Sequence, residues 1–560
     1  MTTTQPAARY DAVVVGAGIA GLFQLYRLRE LGFTVQVIEA GSDVGGTWFW
    51  NRYPGARCDV ESMVYSYSWC EELQQEWSWS ERYAPQPEIL RYLQHVTDRF
   101  DLRRDIRFDT RVTSAVLDET TSRWNVTTDH GGVLDAAFVI MATGCLSVPR
   151  APDIDGLERF AGDVHQTALW PHQPVDFGGK RIGVLGTGSS GVQVIPEIAA
   201  QAAHLTVFMR TPAFSVPSWN GPLDPAVERD IKAHYAERRQ LARETGGGNP
   251  WHERPVSVFD ATPAEREAEF EARYRVGGFF LHSAYDDLFT DTEANEIVSD
   301  FVRDKIRGRV SDPTLAEELC PYEYPLATKR MCIDTGYYEA FNRPNVRLVN
   351  LKRSPIEEIT PTGIRVGGEH VELDALVLAT GFDAMTGALD AVEIRGRGGW
   401  SLRDKWAHGP RTYLGLGHAG FPNLFSITGP SSPSVLSNVM VSIEQHVELI
   451  ADVLRHLREH GLVSIEPTPE AEDAWVEHHR ALGDASLYPR ANSWYMGANV
   501  PGKPRVLLPY VGGAGRYRKF CERIVERGYE GFSLRGPDGR ELAVVPAGGF
   551  AHDEGERDAL

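Results

Sequence analysis

Twice in this chain an apolar, strand-like run ends in Gly-x-Gly-x-x-Gly and passes straight into a helical segment. The first stretch, DAVVVGAGIAGLFQLYRLRELG, carries Gly16, Gly18 and Gly21 between its strand and its helix. At this spacing Gly16 allows a tight turn, Gly18 lets backbone approach a pyrophosphate, and Gly21 lets helix and strand pack closely. The helix N-terminus then offers unpaired N–H groups to the phosphates. A second strand, TVQVIEA, ends in Glu39, where an acid takes ribose hydroxyls. The second cradle, GKRIGVLGTGSSGVQVIPEIA, carries Gly186, Gly188 and Gly191, with Ser189 and Ser190 at the turn. Its following strand, LTVFMRTP, ends in Arg210 and Thr211. An arginine in place of the ribose-binding acid suits a 2′-phosphate and favours NADP over NAD. The alternative for Arg210 is a plain surface charge at a strand end.

Two further apolar strands, AAFVIMATG and DALVLATGF, end in Ala-Thr-Gly after each cradle and indicate an interleaved layout. The expected fold is α/β: two Rossmann-like dinucleotide-binding domains, one for FAD and one for NADP, with a helical insertion. The expected FAD domain is discontinuous, over 1–145 and 386–545, and the NADP domain spans 146–215 and 323–385. Charged helical stretches such as TPAEREAEFEARY assign 216–322 to a helical subdomain, and 546–560 to a flexible acidic tail. Two carriers on one chain imply electron transfer between a tightly held flavin and an exchangeable nicotinamide.

A chain of 560 residues exceeds one ordinary core, which suits several domains. The opening MTTTQPAARYD lacks the order of a signal peptide, and no apolar run approaches the ~20 residues of a spanning helix, so the reading is a cytosolic protein without membrane partners. The net charge of -20, from 57 Lys+Arg and 77 Asp+Glu, argues against nucleic acid as a partner. An anionic cofactor therefore needs its own local basic groups. The six cysteines are scattered without a CxxC pair, and the histidines, among them His446, His478 and His479, lack metal-ligand spacing. Neither a metal site nor dithiol redox chemistry is expected.

Residues 45–59, GGTWFWNRYPGARCD, carry Gly45, Gly46, Trp48, Tyr53, Pro54, Gly55 and Asp59. This resembles the flavin-side motif of the type I Baeyer–Villiger monooxygenases (Ala/Gly-Gly-x-Trp, four residues, Phe/Tyr-Pro-Gly/Met, three residues, Asp) at every specified position. ATKRMCIDTGYYE, LATGFDAMTGAL, TGPSSPSVLSNVMVSIEQHVE and SWYMGANVPGKPR are similar to segments of the same family. The resemblance runs from about residue 10 to 532 and lies nearest the phenylacetone and steroid monooxygenase branch.

The resemblance implies an NADPH-dependent flavoprotein that forms a C4a-peroxyflavin with O2. That species attacks a cyclic, aryl or steroid-like ketone, and the tetrahedral adduct rearranges to an ester or lactone, with sulfoxidation as a side activity. It implies Arg330, in TKRMCIDTGYY, as the catalytic group, since a fixed guanidinium stays charged beside the developing anions. Asp59 would orient Arg330. Gly46, Thr47 and Trp48 would join Gly16, Gly18, Gly21, Glu39 and Asp59 around FAD. Lys329 would hold the 2′-phosphate with Arg210 and Thr211, and Trp494 and Asn499 would belong to a loop folding over NADP. Ser434, Val435 and Leu436, in GPSSPSVLSN, would shape the substrate pocket. The expected partners are a small ketone and O2, in a monomer or weak homo-oligomer.

One segment departs from the family pattern. FAGDVHQTALWP keeps Phe160, Gly162, Trp170 and Pro171 of a domain-linking fingerprint, but Gln166 stands where the family has histidine and His165 precedes it. Gln166 is expected to act as a neutral anchor for the linker, since an amide still donates and accepts; the alternative is that His165 reaches the same partner. Three rival readings are another class B monooxygenase oxygenating nitrogen or sulfur, a disulfide reductase, and a degenerate nucleotide-binding scaffold.

Overall fold

The computed structural model describes residues 8–150, 152–542 and 550. Apart from Phe550, the acidic tail expected over 546–560 lies outside the described residues. The described residues fold as α/β, with five sheets of which the two largest, of eight and five strands, carry the nucleotide cradles.

In the first sheet, the strands Ala8–Val15, Val35–Ile38 and Val133–Met141 are largely apolar, as suits strands covered on both faces. They pair in parallel, with Val14 between Val37 and Ile140. Ile106–Arg107 extends one edge, and Leu424–Ser426 returns beside Val139–Met141. An antiparallel meander, Val112–Asp118 and Arg123–Thr128, joins on with Glu393–Arg395 outside it, giving eight strands. Late segments thus complete a sheet begun at residue 8.

The second sheet has five parallel strands in the order Val346–Asn350, His204–Met209, Arg181–Leu185, Ala375–Leu378 and Asp163–Gln166. The cradle glycines follow the C-terminal ends of Ala8–Val15 and Arg181–Leu185, where nucleotide crevices open in such sheets. The turns are built for glycine: a Cβ on Gly21 would lie 1.8 Å from the Gly16 carbonyl oxygen, and one on Gly191 lies 2.2 Å from that of Gly186.

Helices Pro225–Ala233, Tyr235–Glu244, Pro263–Val276, Thr292–Arg309 and Pro313–Leu319 fill the insertion. Four are capped by the side chains of Asp224, Thr262, Asp291 and Asp312. Phe270, Phe301 and Val302 share one core with Val184 and Val207 of the second sheet. The insertion also reaches the first sheet's unit: buried Arg239 donates to the carbonyls of Met63 and Val64 and to Ser66 Oγ. Among the described residues no helix is long and apolar enough to cross a membrane.

Candidate active site

Residues 45–59 run from one cradle to the other. Gly46 backs directly onto Gly18 of the first glycine turn. The short helix Thr47–Trp50 then buries Trp48, whose indole donates to Tyr65 Oη at 3.2 Å. Beyond it the chain meets the second cradle's helix, Ser189–Ala199. Tyr53 Oη donates to Gln193 Oε1 at 2.8 Å, and Gln193 Nε2 donates to the Arg57 carbonyl at 3.0 Å. Gly55, at φ +82°, lies so close that a Cβ there would come within 2.4 Å of the Gln193 carbonyl oxygen.

Asp59 ends the stretch against Arg330. The pair is bidentate: Nε reaches Oδ2 at 3.0 Å and Nη2 lies 2.8 Å from each carboxylate oxygen. Nη1 donates to the Val435 carbonyl at 2.6 Å, and the guanidinium covers the Phe279 ring at 4.7 Å. Burial works to lower the Arg330 pKa, but Asp59 and the Tyr495 hydroxyl hold it above its usual value. A guanidinium so placed is charged and fixed at every working pH.

The residues around the cradles fit FAD and NADP. The cradle helices, with N-caps at Gly18 and Gly188, have no side-chain cap, so their first N–H groups remain for phosphate oxygens. Glu39 is 5 % exposed and accepts the Ala17 and Gly41 N–H groups at 2.6 and 2.7 Å. Burial raises its pKa, and its remaining lone pairs can accept ribose hydroxyls.

Beside the second cradle, cations gather. Burial, then repulsion from Arg210 and Lys352, brings the Lys329 pKa down to about 8. Burial and Arg210 also lower that of Arg150. Like charges collected in this way are the complement of a phosphate. Thr211 sits in the same turn, its carbonyl accepting Thr187 Oγ1 at 3.0 Å, while Ser189 Oγ lies 3.7 Å from Cys332 Sγ and Ser190 interacts with the Tyr53 hydroxyl.

Arg330, Phe279, Met331, Leu436 and Tyr495 line a cavity of about 180 Å³. Of the three pocket residues expected from the sequence, Leu436 lines it. Val435 supplies its carbonyl to Arg330, and Ser434 is fully buried at φ +40°. Trp494 packs on Tyr495 with ring centroids 4.2 Å apart, and Asn499 Nδ2 donates to the Phe382 carbonyl at 2.7 Å, tying their loop to the end of the second sheet.

In the linker fingerprint, Asp163–Gln166 is an edge strand pairing with Ala375–Leu378. Gln166 Nε2 donates to the Arg150 carbonyl at 3.0 Å, an oxygen that also accepts Thr380 Oγ1. The pleat turns His165 to the other face, where its ring meets Trp170 at 5.3 Å and Phe177 at 6.3 Å. Phe160 packs instead in the cluster with Ile359 and Ile364, and Gly162 lies against the Asp374 carbonyl. Gln193, Phe279 and Tyr495 escaped the sequence reading. A buried polar residue inside the apolar run VQVIPEI was a usable sign for Gln193; nothing local marks the other two.

The family model described as pyridine nucleotide-disulphide oxidoreductase matches residues 13–245. All six cysteines are free, however, and burial raises the pKa values of the three within electrostatic reach of Arg330 (Cys58, Cys145 and Cys332), which keeps them as thiols. A Baeyer–Villiger monooxygenase of Pseudooceanicola batsensis is 44 % identical over 531 residues, covering 94 % of this chain and 96 % of its own. A phenazine N-monooxygenase of Lysobacter antibioticus is 41 % identical over 530 residues, covering 94 % and 97 %. Among solved structures, an oxidized steroid monooxygenase bound to NADP superposes with a TM-score of 0.91 at 54 % identity, covering 94 % of this chain and all of that one.

Proposed function

Because this chain belongs to the Baeyer–Villiger monooxygenases, we propose how its own residues carry out that family's oxygenation. It uses FAD, NADPH and O2 to oxygenate a ketone to an ester or lactone. We assign FAD to the unit of the eight-stranded sheet, with Gly16, Gly18, Gly21, Glu39, Gly46, Thr47 and Trp48 around it. NADP belongs to the five-stranded unit, with Gly186, Gly188, Ser189, Ser190 and Gly191 at its pyrophosphate and Arg210, Thr211 and Lys329 at its 2′-phosphate. Trp494 and Asn499 stand on the loop over it.

The observation that carries this reading is the Arg330–Asp59 pair, held where the flavin-side motif meets the NADP-side helix and beside a cavity. Bound FAD, once reduced by NADPH, supplies the activation of O2. Arg330 supplies the electrostatics. Asp59 takes the hydrogens of Nε and Nη2, Val435 takes one from Nη1, and the Tyr495 hydroxyl also hydrogen-bonds the guanidinium, so the substrate oxygen, as it becomes anionic, meets a fixed positive charge flanked by that hydroxyl. Asp59 keeps the fork in one plane, so no reorganisation is needed when charge develops. Leu436 shapes the substrate side of the cavity. A ketone panel with product analysis tests this: one NADPH should be consumed per ester formed. Consumption of NADPH with hydrogen peroxide as the sole product would sink it.

The N-oxygenating relative gives one specific reason for a second reading, oxygenation of nitrogen or sulfur. An aromatic tertiary amine and a thioether in the same panel separate the two; a faster reaction with either than with every ketone would favour the second.

Two coenzyme effects follow from the cation cluster. Arg210→Ala should raise the KM for NADPH by ten- to a hundredfold, about 1.4–2.8 kcal/mol, and barely change that for NADH; equal changes in both would count against the 2′-phosphate assignment. Lys329 is cationic below its pKa of about 8 and neutral above it. The kcat/KM for NADPH should therefore fall as pH rises through that value, and Lys329→Met should flatten the profile.

A further inference from the structure

Beyond Arg330, the cavity wall carries polar groups that the oxygenation itself does not need. His282, on the 3₁₀ segment Gly278–Ser283 of the helical insertion, lines the same cavity. Phe279 touches both residues, its centroid 4.7 Å from the Arg330 guanidinium carbon and 5.3 Å from the His282 ring. Phe289 closes on the His282 ring edge-on at 5.4 Å. Among the described residues the enclosed Nε2 has no hydrogen-bond partner.

Two more groups in this wall share that condition. Tyr285 is 2 % exposed, and among the described residues neither its hydroxyl nor the side-chain oxygen of Asn249 has a hydrogen-bond partner. The imidazole does not serve as a cation here, since burial and the Arg330 charge bring its pKa down to about 3. It is a neutral group with one donor and one acceptor. These atoms are already desolvated without a partner, and a wholly apolar ketone filling this cavity would return no hydrogen bond to them. A ligand hydroxyl can accept from the phenol or the imidazole and donate to the amide oxygen or the other imidazole tautomer.

We propose that the cavity selects ketones bearing a hydroxyl group remote from the reacting carbonyl, and that His282 binds that hydroxyl while Arg330 faces the carbonyl. The inference rests on the oxygenase reading and gives it a substrate class. A site built to hydrogen-bond a hydroxyl rejects the analogue lacking it, whereas an apolar pocket discriminates weakly.

The test compares benzylacetone with its para-hydroxylated analogue on the FAD-loaded enzyme, by ester product. The wild-type kcat/KM should favour the hydroxylated ketone by about tenfold. His282→Phe, which keeps a flat ring, should bring that ratio close to one, and His282→Gln, which keeps a neutral donor and acceptor, should restore part of it. Should His282→Phe fail to retain FAD, Tyr285→Phe removes a single hydroxyl and should lower the same ratio. A wild-type ratio near one, or a ratio unmoved by these substitutions, would overturn the proposal while leaving the oxygenase reading standing. Ester from neither ketone would also overturn the proposal, whereas the oxygenase reading is decided by the wider ketone panel.

Discussion

Arg330→Ala should lower the rate of ester formation by two to three orders of magnitude, about 2.7–4 kcal/mol of lost stabilisation of developing negative charge. NADPH should continue to reduce the flavin, because the cradles, Arg210 and Lys329 are untouched, and the oxygen activated there should leave as hydrogen peroxide. The separation of these outcomes carries the argument. A residue that merely held the domains together would slow reduction and oxygenation alike. Arg330→Lys should rescue little, although it keeps the charge. Asp59 engages Nε and Nη2 together, and a single ammonium cannot span both oxygens while facing the Val435 carbonyl and the substrate. Stopped-flow reduction by NADPH, ester yield and peroxide yield should be measured on the same preparation. An ester yield in Arg330→Ala within threefold of wild type would remove Arg330 from the proposed role.

The second large effect is expected at Gly55, far from any reacting atom. Its backbone lies at φ +82°, where a Cβ is strained, and that Cβ would stand 2.4 Å from the Gln193 carbonyl oxygen on the second cradle's helix. Backbone cannot swing aside as a side chain can, so Gly55→Ala must push the helix Ser189–Ala199 away from residues 45–59. The strain and the lost contacts together should cost about 2–4 kcal/mol of stability. The displacement also moves the second cradle relative to the first. Flavin reduction by NADPH should therefore slow by at least tenfold, since misplacing reactants by an ångström is costly. Gln193→Ala, which deletes the bonds to Tyr53 and the Arg57 carbonyl but introduces no overlap, should produce a milder version of the same effect. A Gly55→Ala enzyme with wild-type melting temperature and reduction rate would show that the two cradles are positioned elsewhere.

Much of this protein was legible in its sequence wherever function depends on short, local backbone geometry. Glycine turns between an apolar strand and a helix, an acid or arginine at the next strand's end, and paired Ala-Thr-Gly endings each encode a local requirement, and together they identified an α/β chain with two dinucleotide cradles. The motif at 45–59 added the family, because seven specified residues in one stretch are hard to meet by chance. What could not be read locally was the role of each position within that motif. Gly46 serves one cradle, Tyr53 and Gly55 serve the other, and Asp59 serves an arginine 271 residues away.

The fingerprint segment makes the same point at smaller scale. Sequence placed Gln166 and His165 side by side, and the pleat of a strand sends them to opposite faces; only the tertiary packing decides that one meets the Arg150 carbonyl and the other the Trp170 and Phe177 rings. Likewise the wall around Arg330, with Phe279, His282 and Tyr495, is drawn from the insertion and from a late loop, and no spacing marks its members. The sequence by itself determined the two dinucleotide cradles, because their glycine turns rest on contacts between near neighbours in the chain; Arg330 came from the resemblance to the family, since its partner Asp59 is 271 residues away. The tertiary structure alone decided how the cradles face each other and what lines the space between, because long-range packing brings those residues together and leaves no local pattern behind.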